Sequence, residues 1–211
     1  MNENEILARI ENLENEVESL KMIVKMLSKD SDFSTVNVPV TPEKQPEESY
    51  DPNDFDIENG VLVEYTGKSE EVTIPYGVTI IGNGAFSQNK TIQKVNFPDT
   101  VTEIGEKSFY RCSKLVEVNI SVNCIKMGSS AFASCHNLEK IDINNIKRIP
   151  RFAFDLCRNL KRLIVSENTE IIENFAFRGC ENLRISVPET CNYDRCSFSY
   201  CKIVEIREVK K

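Results

Sequence analysis

A phenylalanine that recurs at a nearly constant interval is the feature that most restricts how this chain can fold. The intervals are 23, 23, 22, 23 and 21 residues, and the residues are Phe86, Phe109, Phe132, Phe154, Phe177 and Phe198. A unit of this length cannot bury its own apolar face, so neighbouring units must stack and share one core. The interval therefore predicts a solenoid of about six coils, each of roughly 23 residues.

Other positions repeat with the same period. An alanine or serine precedes each phenylalanine, and three residues after it stands a cysteine in every unit but the first, which has Asn89. An apolar residue follows three positions later, and then a short segment of alternating apolar and polar residues. Alternation is typical of a half-buried strand. Each coil is therefore predicted to contain a strand, a return and a short helical turn, which places the fold in the α/β class.

The recurrence of cysteine at one position of the repeat is explained more simply by packing in the core than by chemical reactivity. A free cysteine is a compact apolar side chain and is among the most often buried residues. We therefore expect a row of core thiols, formed by Cys112, Cys135, Cys157, Cys180 and Cys201. A Cys135 and His136 nucleophile and a zinc site at Cys191, Cys196 and Cys201 are weaker alternatives, because adjacent residues point apart and a fourth zinc ligand is missing.

Two stretches resemble BspA-like leucine-rich repeats. They are residues 72–86 and residues 104–120, the second with the pattern IGxxSFxxCxxLxxVxI, and the resemblance spans residues 57–211. It implies a leucine-rich-repeat solenoid of the α-β horseshoe type, whose strands line the concave side and whose usual role is binding. Many members of the family are bacterial surface proteins. The later copies depart from the pattern, since Pro150 and Glu173 replace the glycine of the earlier ones.

Both ends of such a solenoid need protection from edge-to-edge pairing. At the N-terminal end, residues 61–65 and 72–74 flank a turn around Gly67, which predicts a capping hairpin. At the C-terminal end, residues 203–209 carry several charges and are predicted to form the last strand.

A heptad pattern occupies residues 1–28. Its apolar positions alternate in steps of four and three, and they are Ile6, Ile10, Leu13, Val17, Leu20, Val24 and Leu27. β-Branched a positions with leucine at d favour a parallel two-stranded coiled coil. We therefore predict a homo-oligomer, with a dimer favoured, a trimer still open, and an amphipathic helix docked on another surface as the remaining alternative.

Residues 29–56 separate this segment from the repeats. Four prolines stand among acidic and polar residues, with too few apolar side chains to offset the entropy of ordering. This composition predicts a flexible acidic linker. The predicted domains are thus a coiled-coil helix at 1–28, the linker at 29–56 and the solenoid at 57–211.

The distribution of charge narrows the choice of partner. The chain has a net charge of −7, but residues 1–60 hold most of the acidic excess and the repeats are close to neutral. A basic patch for phosphate neutralisation is missing, which argues against a nucleic-acid ligand. The sequence also lacks a long apolar segment for membrane insertion, and its first residues are too charged for a signal peptide. A cytoplasmic location is therefore expected, with an extracellular location as the alternative.

The predicted strands suggest where a partner would bind. Residues between the buried positions of each strand face the concave side. They form an outer row of Lys94, Glu117, Lys140, Arg162 and Arg184, and a middle row of Asn96, Asn119, Asp142, Ile164 and Ser186. The basic outer row favours a protein partner of acidic or polar character, although a merely solvated face is an equally good interpretation.

These features favour a non-enzymatic protein-interaction module that uses no cofactor and no metal. The cysteine, histidine and glycine patterns give no enzyme motif of recognisable spacing. Two alternatives remain: a bacterial surface or secreted adhesin, and a structural assembly subunit organised by residues 1–28.

Overall fold

The computed structural model of the chain describes residues 51–143, 145–201 and 203–207. The heptad segment and most of the predicted linker lie outside these residues. In chain order the elements are a 3-10 turn at Pro52–Asp54, β1 (Phe55–Glu58), β2 (Val61–Tyr65), β3 (Glu71–Thr73), β4 (Ile80–Ile81), β5 (Lys94–Asn96), β6 (Glu103–Ile104), β7 (Glu117–Asn119), β8 (Lys126–Met127), β9 (Lys140–Ile141), β10 (Arg148–Ile149), β11 (Arg162–Ile164), β12 (Ile171–Ile172), β13 (Arg184–Pro188), β14 (Asn192–Tyr193), a 3-10 turn at Arg195–Phe198, and β15 (Ile203–Arg207).

Each coil contributes two strands, which stack into two separate rows. The first strand row consists of a sheet β3-β5-β7-β9 and a sheet β11-β13-β15. The second strand row consists of a sheet β1-β2-β4-β6-β8 and a sheet β10-β12-β14. All neighbours are parallel except β1 and β2. The predicted solenoid of about six coils is confirmed, and the second row is a feature that the sequence analysis did not predict.

The predicted helical turn after each strand is wrong, and so is the α/β class for the part of the chain described. The segment around each repeated phenylalanine from Phe86 to Phe177 is a chain reversal with two residues of left-handed φ, such as Lys107 at 54° and Arg111 at 58°. A right-handed helix cannot contain such residues in its body. The described coils contain strands, turns and 3-10 turns without an α-helix, so the fold is an all-β solenoid.

These turns are bonded to the next coil as a strand would be. In the Phe109 coil the N–H groups of Lys107, Phe109 and Arg111 donate to carbonyl oxygens of the following coil at 3.0, 2.8 and 2.9 Å. The same pattern recurs in the Phe132 coil. Backbone donors in the turns therefore find partners between coils instead of within a helix, which satisfies them although the segment is buried.

The repeated phenylalanines stack into one ladder through the core. Neighbouring rings lie 4.7 to 5.9 Å apart between centroids and within 11° of parallel from Phe86 to Phe198. Tyr65 begins the ladder, 5.1 Å from Phe86. Each ring is covered on both faces only when a coil is present on both sides, so the core exists through stacking alone.

The row of thiols is buried as predicted and also makes hydrogen bonds. Cys112, Cys135, Cys157 and Cys180 are fully buried, whereas Cys201 is half-buried. Each thiol donates to the carbonyl oxygen of the phenylalanine one coil earlier, for example from Cys112 to Phe86 at 3.0 Å. A thiol fits this position because it fills apolar space and still supplies a weak donor.

Glycine follows the second-row strand in the early coils because the coils approach too closely for a side chain. A Cβ atom on Gly105 would lie 2.7 Å from both the carbonyl carbon of Gly82 and the carbonyl oxygen of Ile81. The N–H of Gly105 donates to that oxygen at 2.7 Å. The close approach of the two backbones thus depends on this glycine, whereas the inter-coil hydrogen bond also forms without glycine, from the N–H of Glu173 to Ile149 O at 2.9 Å.

The N-terminal end is capped by a hairpin, but by a different one from the hairpin predicted. β1 pairs with β2 in antiparallel fashion through a turn at Asn59 and Gly60, both of left-handed φ. The predicted pairing of residues 61–65 with 72–74 is wrong, because β2 and β3 belong to different rows. β1 also includes Phe55 and Asp56, which the sequence analysis had assigned to the linker. At the C-terminal end β15 is the last described strand, within the predicted segment.

The close approach at Gly105 leads to a first prediction. Gly105→Ala should lower the free energy of unfolding by about 1–3 kcal/mol, because the methyl group must push two backbones apart. Urea unfolding followed by circular dichroism measures the change. Glu106→Ala is the matched control, since it removes only an exposed ion pair with Lys107 and should change stability little. Equal unfolding midpoints for the two variants would contradict the close approach.

Thiol burial leads to a second prediction. Burial raises the pKa of Cys124 to about 11 and that of Cys201 to about 12, and it raises the pKa of Cys135 and Cys180 well above the ordinary value. Alkylation requires the thiolate, so a shift of this size slows it by roughly a hundredfold. In iodoacetamide labelling of the native protein read by mass spectrometry, half-buried Cys196 should react first.

Unfolding in urea should make all of the cysteines react at comparable rates. Cys196→Ser is the control that removes the early label. Rapid labelling of Cys135 in the folded protein would contradict the buried thiol row.

Candidate binding surface

The predicted outer row lies along the first strand row, with its members side by side. Lys94 pairs in register with Glu117, and Glu117 with Lys140. Arg162 pairs in register with Arg184 in the second sheet of the row. Parallel pairing without a shift puts equivalent residues of successive coils about 4.8 Å apart along the stack. The repeat thus brings residues that are distant in sequence into one line within each of the two sheets of the row.

Ion pairs cancel most of the charge in the N-terminal half of this line. Lys94 contacts Glu71 at 2.7 Å, and Lys140 contacts Glu117 at 2.6 Å. The hydrogen bond from Lys94 lowers the pKa of the Glu71 carboxyl group and raises the pKa of the lysine itself. The first four strands of the row therefore alternate in sign, and the basic character expected there is largely neutralised.

The C-terminal half of the line has a different charge balance. Arg184 is exposed and makes no ion pair with any described residue. Arg162 occupies the adjacent register position in β11. Two arginine positions in succession, without an alternating carboxylate between them, make this half the basic part of the row.

The predicted middle row is a ladder of polar side chains in its N-terminal part. The Asn119 amide donates to Asn96 Oδ1 at 2.7 Å, and the Asn96 amide donates to Glu71 Oε1 at 3.2 Å. Asp142 is exposed and directly follows β9. Ile164 in β11 pairs in register with half-buried Ser186 in β13. The ladder orients the asparagine amides and leaves their remaining donors and acceptors toward solvent.

The weaker chemical alternatives are not assembled by the fold. The Cys135 thiol donates into the core, to Phe109 O at 3.0 Å, whereas exposed His136 has Nδ1 3.0 Å from Leu156 O. Cys201 likewise donates into the core, to Phe177 O at 3.2 Å. Within residues 51–143, 145–201 and 203–207, no group of three or more histidine, cysteine or acidic side chains is arranged to hold a metal ion.

No helix in the described part of the chain is long and apolar enough to cross a membrane.

The second strand row carries a cleft that was not predicted from the sequence. A cleft of about 420 Å³ opens on the second strand row near the C-terminal end, and its lining residues are Arg151, Ile171, Ile172, Glu173, Asn174, Asn192, Tyr193 and Asp194. One sequence feature could have indicated this cleft: the repeat glycine is lost in the later coils. It is replaced by Pro150 and Glu173 and, in the last coil, by Asp194. Taken from the sequence alone, the first two changes indicate only that the later copies depart from the repeat pattern.

Solved structures with the same fold are bacterial proteins. A leucine-rich cell surface protein from Faecalibacterium prausnitzii is 28% identical, with a TM-score of 0.64, and the match covers 73% of this chain and 46% of that protein. A leucine-rich repeat protein from Eubacterium ventriosum is 21% identical, with a TM-score of 0.61, and covers 68% and 47%. A leucine-rich repeat protein from T. pallidum is also 21% identical, with a TM-score of 0.54, and covers 68% and 85%.

This chain spans less than half of the first two of these proteins. A comparison with curated proteins found no match.

The sequence profile of the BspA type leucine rich repeat region, which matches in six copies, covers residues 57–184 and 147–208. These ranges include both strand rows from β2 onward, the phenylalanine ladder and the thiol row. The resemblance seen in residues 72–86 and 104–120 is thereby confirmed over the whole solenoid, and the chain belongs to the BspA-type leucine-rich-repeat family.

Proposed function

We propose that this chain is a non-enzymatic interaction module that binds a partner polypeptide through its first strand row. Leucine-rich-repeat proteins of this family suggest a protein-interaction or surface-protein role. The observation that carries the proposal is the in-register alignment of repeat positions within each sheet of the row, along β5, β7 and β9 and along β11 and β13, with polar residues at most of these positions. A line of in-register positions presents side chains at a regular spacing to an extended partner.

The charge of the row indicates the chemistry of that partner. The N-terminal half is balanced by the contacts of Lys94 and Lys140 with carboxylates, so it offers oriented amides and little net charge. The C-terminal half presents Arg184 beside the register position of Arg162. Guanidinium groups bind carboxylates in bidentate fashion and often act as anchors at interfaces. The matching partner is a polypeptide with polar side chains and an acidic group at one end.

Oligomerisation through residues 1–28 would strengthen such binding. The heptad positions Ile6, Ile10, Leu13, Val17, Leu20, Val24 and Leu27 support a parallel dimer, with a trimer as the alternative. The solenoid offers one short row per chain. Two rows held in one oligomer would convert a second binding event into an intramolecular one, which raises avidity for a multivalent partner.

The arginine anchors lead to a third prediction. Arg162→Glu combined with Arg184→Glu should weaken partner capture by about tenfold or more, because an attractive contact becomes a repulsive one. Lys90→Glu combined with Lys114→Glu is the matched control. It makes the same change in net charge at exposed residues outside both strand rows, and capture should remain at the wild-type level. Quantitative pull-down from the native host, with mass spectrometry, gives the readout.

Urea unfolding must show that both double variants are folded. Equal loss of the same partners in both variants would indicate a net-charge effect and would contradict recognition by the first strand row. Full retention of the partners by the Arg162 and Arg184 variant would contradict it as well.

The heptad segment leads to a fourth prediction. The full chain should sediment at twice its 24.1 kDa mass, and Leu13→Asp combined with Leu20→Asp should return it to a monomer, because buried charges disrupt the apolar seam. Analytical ultracentrifugation distinguishes a dimer from a trimer. Asn15→Asp combined with Met22→Asp changes two residues outside the proposed seam and serves as the control. A monomeric wild-type chain would contradict the proposal.

A second candidate function is that of a bacterial surface protein. The F. prausnitzii relative is described as a cell surface protein, and this favours the extracellular alternative over the cytoplasmic location expected from the sequence. Binding through the first strand row is compatible with either location, so cell fractionation is the experiment that separates the two candidates.

A further inference from the structure

The cleft near the C-terminal end is built by a specific change in how two coils are joined. In earlier coils the N–H after the second-row strand donates to the preceding coil, as from Gly128 to Ile104 O at 2.7 Å. In the last coil the N–H of Asp194 donates instead to Ser197 Oγ at 3.3 Å, and this hydroxyl donates to Ile172 O at 3.3 Å. A hydroxyl inserted between donor and acceptor moves the two backbones apart.

The resulting cleft has the size of a small-molecule site. Its volume of about 420 Å³ lies between β12 and β14 and extends to Arg151. Ligand sites in proteins commonly measure about 300–1,000 Å³. The cleft is on the second strand row, so it is separate from the row assigned to the polypeptide partner.

Arg151 is held in place over an aromatic pair. Phe152 and Phe175 stack at 5.4 Å between centroids, and the Arg151 guanidinium carbon lies 4.7 Å from the Phe152 centroid. Arg178 covers the same pair and is neutralised by two 2.8 Å hydrogen bonds to Asp155. The Arg151 guanidinium makes no ion pair with any residue that the structure describes, so it is a positioned donor that remains available.

The aromatic pair also has an unusual backbone. Phe152 and Phe175 have left-handed φ values of 59° and 62°, at the position where earlier coils have Gly84, Lys107 and Ser130. A bulky residue with such a φ value is uncommon and costs conformational energy. The fold thus accepts strain at the two residues that support Arg151.

The remaining polar groups of the cleft include both donors and acceptors. Asn174 and Asn192 are exposed, and in the described part of the chain their side-chain amides have no hydrogen-bond partner. Asp194 contributes a carboxylate that caps the turn Arg195–Phe198, where it accepts from the N–H of Cys196 at 3.4 Å and from the N–H of Ser197, and its remaining lone pairs face the cleft. Tyr193 is 41% exposed, with its ring held edge-to-face against Phe198 at 5.2 Å.

The charges in and beside the cleft are balanced. Glu173 pairs with Arg148 and also accepts the N–H of Arg151 at 2.9 Å. The two remaining charged groups are the Arg151 guanidinium and the Asp194 carboxylate, which have opposite signs. A strongly anionic ligand would meet Asp194, and a cationic one would meet Arg151, so a neutral polar ligand fits best.

We propose that this cleft binds a saccharide. A sugar hydroxyl both donates and accepts, and the cleft supplies a donor in Arg151, an acceptor in Asp194, and amides that do both in Asn174 and Asn192. The apolar face of a pyranose ring can pack on the exposed ring of Tyr193, which is amphipathic and already fixed. The volume accommodates one or two sugar units.

The experiment is a screen of the purified full chain on an array of defined neutral oligosaccharides, followed by titration of the strongest binder. Tyr193→Ala and Asn192→Ala should each lower its affinity by about tenfold or more, because each removes a contact with the bound sugar. Tyr76→Ala is the matched control, since Tyr76 is 64% exposed and lies outside the cleft, and it should bind as the wild type does.

The Asn192→Ala variant should remain folded, because the Asn192 side chain is exposed and supports no other residue. A loss of sugar binding in this variant therefore cannot be attributed to unfolding. Absence of binding to every saccharide would overturn the proposal, as would equal affinity of wild type, Tyr193→Ala and Asn192→Ala. A glutamate-rich peptide is the competing probe. If it binds while the sugars do not, and Arg151→Ala abolishes that binding, the cleft is a site for an acidic peptide and the saccharide assignment is wrong.

Discussion

Contact between equivalent residues of adjacent coils is the constraint on which the whole structure depends. The phenylalanine rings contact one another at 4.7 to 5.9 Å, and the turns that carry them are joined by backbone hydrogen bonds to the following coil. A buried phenylalanine contributes roughly 3–5 kcal/mol against truncation to alanine, but only where neighbours cover it. Equivalent residues of adjacent coils are also joined by the glycine contacts, the thiol hydrogen bonds and both strand rows. The stability of the solenoid is therefore a sum over the interfaces between neighbouring coils.

The sequence could predict this stacking because its signals recur. The period of the phenylalanines, the burial of the thiols and the alternation in the first strand row each appear in several copies, so an accidental match is improbable. The second strand row gave little signal, since its strands are mostly two residues long, too short for alternation to show. The conformation of the turns was predicted wrongly for another reason. Glycine, which ordinarily marks such a conformation, occupies the left-handed positions of the described turns only at Gly84 and Gly179, and the others hold residues such as lysine, arginine, serine and phenylalanine.

The surface was harder to predict than the core, because its chemistry depends on what lies one coil away. Placement of Lys94 and Lys140 followed from the strand pattern, yet their charge is neutralised by Glu71 and Glu117 at equivalent positions of the preceding coils. The cleft depends on a hydroxyl, that of Ser197, which takes over a backbone hydrogen bond. Serine also precedes the repeated phenylalanine at Ser108, where the direct bond from the N–H of Gly105 to Ile81 O is kept, so the residue type at this position does not reveal the change.

Because equivalent residues of adjacent coils contact one another, the fold restricts which insertions and deletions it can accept. Since the ring stacking joins equivalent positions in successive coils, from Phe86 and Phe109 through to Phe177 and Phe198, insertion or loss of a whole coil restores the same contacts on both sides of the change. Loss of half a coil would instead place ladder residues against solvent-facing ones. Duplication of about 23 residues therefore lengthens the solenoid by one strand spacing, roughly 4.8 Å, without a new core. Evolution can adjust the extent of the exposed rows in units of one coil, while each added copy is free to diverge at its surface positions.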